Sequence, residues 1–288
     1  MNHFVKSHGL GNDYFVMDQS QISFELTSEV IQLLCHRNYG IGSDGILLLV
    51  PSDKADFGLR ILNPDGSEAE KSGNGLRIFA KYLFEHGHTE KQVFTIDTLG
   101  GVVTAELETS EGIVPFVTVE MGEATFQSNL IPVTGEEREV VDEEINVGGE
   151  PLKITAVSVG NPHCVVFVDE LDEGYIRILG PLLETHELFP NRINVQFAKP
   201  LSREKVQILI WERGAGYTLA SGSSSCAVAS ACVKNGLTDG NVTVSMPGGE
   251  LDINIRDDWS IKMRGAAEEV AEGTLSIDLL KRIDMITS

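Results

Sequence analysis

Ser72-Gly73-Asn74-Gly75-Leu76-Arg77-Ile78-Phe79-Ala80-Lys81-Tyr82-Leu83-Phe84 is the stretch whose reading decides the fold. Its apolar side chains fall nearly all round a helix from about 73 to 86, so the segment requires protein on every side. The same design returns 149 positions on, where Cys226, Ala227, Val228, Ala229, Ala231, Cys232 and Val233 coat a second helix. The small residues of that second helix would let a sheet close in tightly. Ser72-Gly73-Asn74-Gly75 opens the first helix and Ser221-Gly222-Ser223-Ser224 the second; they stop at His86-Gly87 and Asn235-Gly236.

Working outward, the same shift sets Asn12 on Asn161, Pro51 on Pro200 and Asn63 on Glu212 without a gap. After a one-residue slip, Thr98-Leu99-Gly100-Gly101 faces Met246-Pro247-Gly248-Gly249. Chance similarity does not hold register over about 90 residues, so the chain reads as two related halves facing each other across a cleft. Between these landmarks lie short β segments closed by Gly, Pro, Asp or Asn. They are Tyr14 to Asp18, Ile46 to Val50, Phe57 to Leu62 and Gln92 to Asp97 in the first half. The second half offers Ile154 to Val159, Cys164 to Asp169, Ile193 to Phe197, Val206 to Trp211, Val242 to Met246 and Leu251 to Ile255. Glu29 to Cys35 reads as a surface helix. Ile176 to Glu187 holds a further candidate, with Pro181 arguing against an unbroken one.

The expected class is α+β, with two pseudo-symmetric domains, each a β-sheet or barrel wrapped around a central apolar helix. The boundaries are set at 1–121 and 122–274, with Gly122 to Asn129 as the crossover and Leu275 to Ser288 free to pack back on either half. The acidic runs Glu136 to Glu139 and Asp142 to Glu144 read as exposed loop.

At 288 residues the chain suits two domains that bury a core without disulfides or metals. Its net charge of −21 argues against nucleic acid or an acidic membrane surface as partner. Met1 to Lys6 lack the apolar run of a secretory signal, and the longest apolar run, Ile46 to Val50, is too short to span a bilayer. The expectation is a cytoplasmic protein. Cys35, Cys164, Cys226 and Cys232 form no C-x-x-C pair and read as buried free thiols, with no metal site.

Each central helix opens on glycine or serine, and the first N–H groups of a helix lack intrahelical partners. With the positive end of the helix dipole, Gly73-Asn74 and Gly222-Ser223 can hold a carboxylate. Ser72 and Ser221 are equally ordinary N-caps. Around them the sequence sets short polar residues at strand ends: Asn12, Asn63, Asn161 and Asn194, with Glu212-Arg213 after an apolar strand. Arg213 offers a bidentate grip on a carboxylate and Glu212 a partner for an ammonium. Together these describe a slot for a small amino-acid zwitterion with a second charged end.

At these residues the chain resembles the diaminopimelate epimerases, which interconvert LL- and meso-diaminopimelate without pyridoxal phosphate or metal. The resemblance spans essentially the whole length. It rests on His8-Gly9-Leu10-Gly11-Asn12-Asp13, Asn63-Pro64-Asp65-Gly66-Ser67-Glu68-Ala69, Gly73-Asn74-Gly75-Leu76-Arg77, Gly160-Asn161-Pro162-His163 and Trp211-Glu212-Arg213-Gly214. It implies two halves, each a sheet around a helix, a homodimer and no cofactor. Asn12, Asn63, Asn161, Asn194, Glu212 and Arg213 would hold the distal end of the substrate, and Gly73, Asn74, Gly222 and Ser223 the reacting α-carboxylate. Ser72 and Ser221 occupy the acid and base positions where the family has cysteines. Tyr217 stands where a glutamate is usual, Gly45 where a polar side chain is usual, and Ser223 where a threonine is usual.

Inversion at Cα needs one group to take a proton from one face and another to deliver one to the other. A thiol does this far more readily than an alcohol, so the serines need an adjacent base, with His163, Asp65, Asp13 and Glu70 as candidates and Tyr217 as a possible proton donor. Three functions follow. One is an epimerase or racemase of a diaminopimelate-like amino acid. Another is an isomerase like those of phenazine biosynthesis, with Glu70, Glu68 or Asp65 as proton carrier. The last is a binding paralogue that has kept the slot and lost the chemistry.

Overall fold

The computed structural model describes residues 2–287, and the chain divides into two compact units, Met1–Val119 with Gly265–Ser288, and Glu120–Arg264. In chain order the first part runs β1 (His3–Gly9), β2 (Asn12–Asp18), α1 (Ser28–Cys35), β3 (Ile46–Val50), β4 (Phe57–Leu62), β5 (Glu68–Ala69), α2 (Gly73–Glu85), β6 (Val93–Thr98), β7 (Gly101–Ser110) and β8 (Ile113–Glu123). There follow β9 (Glu143–Val147), β10 (Glu150–Ser158), β11 (Pro162–Phe167), α3 (Glu173–Glu184), β12 (Asn194–Ser202), β13 (Lys205–Glu212), β14 (Gly216–Thr218), α4 (Gly222–Lys234), β15 (Asn241–Met246), β16 (Gly249–Ile255) and β17 (Ser260–Gly265). β18 (Glu268–Thr274) and α5 (Ile277–Thr287) close the chain.

Both units are wired alike. In the first, β1–β2 and β3–β4 are antiparallel while β2–β3 and β4–β6 are parallel. In the second, β10–β11 and β12–β13 are antiparallel while β11–β12 and β13–β15 are parallel. A parallel pair needs a long crossover, and helices supply it: α1 and α2 in the first unit, α3 and α4 in the second. α2 and α4 begin and end 149 positions apart, so the internal repeat read from the sequence is a repeat of topology.

The all-round apolar pattern of the two central helices has the expected consequence. α2 is buried from Gly73 to Leu83 and packs on β1, β2 and β7. α4 packs on β10, β11, β12, β13, β15 and β16, which a single helix can reach only if the sheet curls around it. The other face of each sheet carries the crossover helix. Val30, Ile31 and Leu34 of α1 pack with Phe15, Ile46 and Leu62, and Ile176, Leu179 and Leu183 of α3 pack with Cys164, Val195 and Phe197. The four cysteines are buried and form no disulfide among the described residues.

Three expectations change. Residues 265–274, read as part of the second half, lie in the first unit, because β18 pairs antiparallel with β1 over His3↔Thr274 to His8↔Glu268. α5 follows it, placing Ile283 in the same core as α1. α3 continues through Pro181. Proline there forfeits the bond to the Arg177 carbonyl, a loss offset by the buried apolar face of the helix and by Thr185 Oγ1 donating to the Pro181 carbonyl at 2.8 Å. Of the second acidic run, Glu143 and Glu144 open β9 instead of forming loop, with the Arg138 guanidinium held bidentate on Glu143 at 2.7 and 2.8 Å.

Candidate active site

The two central helices start identically. Ser72, in extended backbone, accepts from Gly75 N–H at 3.0 Å, and Ser221 accepts from Ser224 N–H at 3.4 Å. Both serines are therefore N-caps. Gly75 is fixed by space, since a Cβ there would lie 2.9 Å from Leu47 and 3.2 Å from the Ser72 side chain. Among the described residues nothing accepts from the N–H groups of Gly73 and Asn74, nor from those of Gly222 and Ser223. Each helix thus offers two unused donors at its positive end.

In the first unit Asn74 and Asn12 form one network. Asn74 Nδ2 donates to Asn12 Oδ1 at 3.1 Å, and Asn12 Nδ2 donates to Asp44 at 2.9 Å. Arg77, fully buried, holds Asn74 Oδ1 at 2.8 Å and the Gly73 carbonyl at 3.1 Å. The expected distal-end ligand Asn12 is thereby tied to the first turn of α2. Asn63 closes a turn of its own: its Nδ2 donates to Ser67 Oγ at 2.9 Å, within residues 63 to 67.

In the second unit Asn194 is a brace. Its Nδ2 donates to the Pro162 carbonyl at 2.9 Å and its Oδ1 accepts from Arg213 N–H at 3.0 Å, fastening the Gly160–His163 turn to the Glu212–Gly214 turn. The Arg213 side chain is exposed and donates to the Asn191 carbonyl at 3.2 Å. Asn161 Oδ1 lies 2.9 Å from His163 Nε2, a contact in which the amide oxygen accepts. Ser223 Oγ lies 3.5 Å from Ser221 Oγ.

The candidate bases do not sit on the serines. His163 is wholly buried, and burial drives its pKa down to about 3. Its second nitrogen contacts Gln196 at 3.0 Å. Burial alone would raise the Asp13 pKa, but Arg37 at 2.9 Å and Lys6 at 3.0 Å outweigh it and hold the carboxyl below its ordinary value. Asp65 is held as a carboxylate by Ser67, Glu68 is bound by Arg60 at 2.8 Å, and Glu70 is exposed. Tyr217 packs beneath the Arg177 guanidinium, 4.3 Å from its ring centroid, and the phenol pKa is raised first by burial.

Two residues escaped the sequence reading. Tyr14 places its phenol oxygen 3.3 Å from Ser72 Oγ, with its ring filling the space that a Gly45 side chain would need. The constant shift pairs Tyr14 with His163, a signal that was available. Glu184, on α3, accepts from Trp211 Nε1 at 2.7 Å and Gly214 N–H at 2.9 Å and pairs with Arg192, so a carboxylate almost entirely out of solvent holds the Arg213 turn. No local motif marks it.

The family model for diaminopimelate epimerase matches residues 4–127 and 155–270. The chain is 50% identical to diaminopimelate epimerase 2 of Nostoc sp. strain PCC 7120, covering 96% of each chain. It is 44% identical to the diaminopimelate epimerase of Pelotomaculum thermopropionicum, over 94% of this chain and 98% of that one. Among solved structures it is similar to a probable proline racemase from Agrobacterium radiobacter K84, with a TM-score of 0.71 at 15% identity over 96% of this chain and 93% of the other. A phenazine biosynthesis protein of the PhzF family from Bacillus anthracis has a TM-score of 0.67 at 17% identity over 96% and 99%. These last two likenesses speak to the fold.

Proposed function

The chain belongs to the diaminopimelate epimerase family, and from that premise we propose that it inverts the α-carbon of diaminopimelate, LL to meso, or of a similar diamino dicarboxylate, by proton transfer without a cofactor. The near full-length identity to relatives bearing that name carries the reading. In this assignment the carboxylate-binding groups are the unused N–H groups at the start of α2, on Gly73 and Asn74, and at the start of α4, on Gly222 and Ser223; such donors stabilise the negative charge that develops with the carbanion. Ser72 and Ser221 take the acid and base positions. Asn12, Asn63, Asn161, Asn194, Glu212 and Arg213 belong to recognition of the distal end. Asn194 serves there by bracing Arg213. A cytoplasmic homodimer working without pyridoxal phosphate completes the proposal. A carboxylate base is not favoured, because the relatives at 44 to 50% identity over nearly the whole chain bear the diaminopimelate epimerase name.

Incubation in deuterium oxide with LL-diaminopimelate, followed at Cα by NMR, tests this. Exchange with inversion is expected, and its separate loss in Ser72→Ala and Ser221→Ala. Saturable binding with no exchange in the wild type would instead identify a binder that has kept the slot and lost the chemistry.

A further inference from the structure

A buried polar chain runs from Asn161 to the first turn of α4. His163, Gln196 and Ser224 in it are each fully buried. Gln196 Nε2 lies 3.0 Å from His163 Nδ1 and 3.0 Å from Ser224 Oγ, while Gln196 Oε1 is buried without a partner. The amide orientation follows from counting. As placed, both N–H bonds are used and one oxygen is unpaired; turned over, two N–H donors would be buried unpaired, which is the costlier arrangement.

With the nitrogen of Gln196 donating, His163 Nδ1 can only accept. The imidazole is neutral, so its proton sits on Nε2, which then donates to Asn161 Oδ1 at 2.9 Å. The carboxamide oxygen of Asn161 is consumed inward, and the NH2 group is left for a ligand. Arg213 lies within electrostatic reach of the same imidazole.

We propose that Gln196 is a positioning residue that locks His163 as its Nε2–H tautomer and thereby fixes Asn161 as a hydrogen-bond donor toward a carboxylate of the bound amino acid. The ligand half rests on the function proposed above; the tautomer half does not. An Asn161 of the opposite polarity would present an oxygen, suited to an ammonium.

Two measurements on the whole protein separate the halves. In 15N-histidine-labelled wild type, long-range 1H–15N spectra should show His163 Nδ1 with a pyridine-like shift and Nε2 with a pyrrole-like one. In Gln196→Met the lock is gone and the two tautomers mix. A proton on Nδ1 in the wild type overturns the proposal, with or without enzymatic activity.

Calorimetric titration with meso-diaminopimelate reads the polarity. Asn161→Ala should weaken binding about tenfold, the value of one lost bond to a charged group, and Asn161→Asp should weaken it further, since its outward oxygen repels a carboxylate. Tighter binding by Asn161→Asp overturns the donor assignment. Wild-type protein that shows the expected tautomer but neither binds nor exchanges diaminopimelate refutes the proposed function and leaves the tautomer lock standing.

Discussion

At Ser72 and Ser221 the chemistry is set by acidity. A free cysteine has a pKa of about 8.5, which a helix N-terminus lowers, whereas an alcohol lies several units higher, at about 1.4 kcal/mol per unit. Ser72→Cys with Ser221→Cys is therefore expected to raise the deuterium exchange rate at least about tenfold. Exchange no faster than wild type would show that proton transfer does not pass through these positions. The thiols already present offer no substitute: Cys164 and Cys226 are fully buried, and burial raises the Cys232 pKa to about 12. Tyr14 brings a second hydroxyl to Ser72, 3.3 Å from its Oγ. Tyr14→Phe keeps the ring beside Gly45 and removes the hydroxyl, so exchange should fall about 10²-fold if the phenol shares the proton, as for other acid–base partners. An unchanged rate would confine Tyr14 to packing.

The elements give these residues two duties. Ser72 and Ser221 cap α2 and α4 whatever chemistry they perform, so each serine-to-alanine change should cost about 1 kcal/mol in denaturant melts, alongside any loss of exchange. Capping was legible from the residue types and the apolar run that follows them, because local hydrogen bonding dictates both. The bracing of the Arg213 turn was not. Glu184 reaches Trp211 and Gly214 only because α3 crosses β13, a contact between residues about thirty positions apart. Glu184→Ala leaves those donors unpaired and should cost about 2 kcal/mol or more, read from near-ultraviolet dichroism of the tryptophans. The same variant should bind diaminopimelate more weakly. Unaltered affinity would mean that the turn needs no such support.

For the whole molecule, pH acts through burial. His163 titrates near 6.5 unfolded and near 3 folded, so between these values the unfolded chain binds a proton that the folded one refuses. Stability therefore falls as the pH drops from about 6.5 toward 3, by about 2 kcal/mol at pH 5 from this group. Denaturant midpoints at pH 7 and pH 5 measure it, and His163→Gln should remove that share of the slope. An equal slope in the variant would place the dependence elsewhere among the carboxylates.

What the sequence by itself determined is whatever rests on periodicity and short-range hydrogen bonding: two apolar helices, their serine caps, the strands between turn residues, and a repeat whose constant shift survives in the strand pairings of each unit. The tertiary structure alone decided that β18 returns to β1, that α3 runs through Pro181, and that Tyr14, Gln196 and Glu184 stand behind the polar residues of the site. Pairing of distant strands and the direction of a buried amide depend on which side chains share a desolvated space, and no spacing along the chain encodes that.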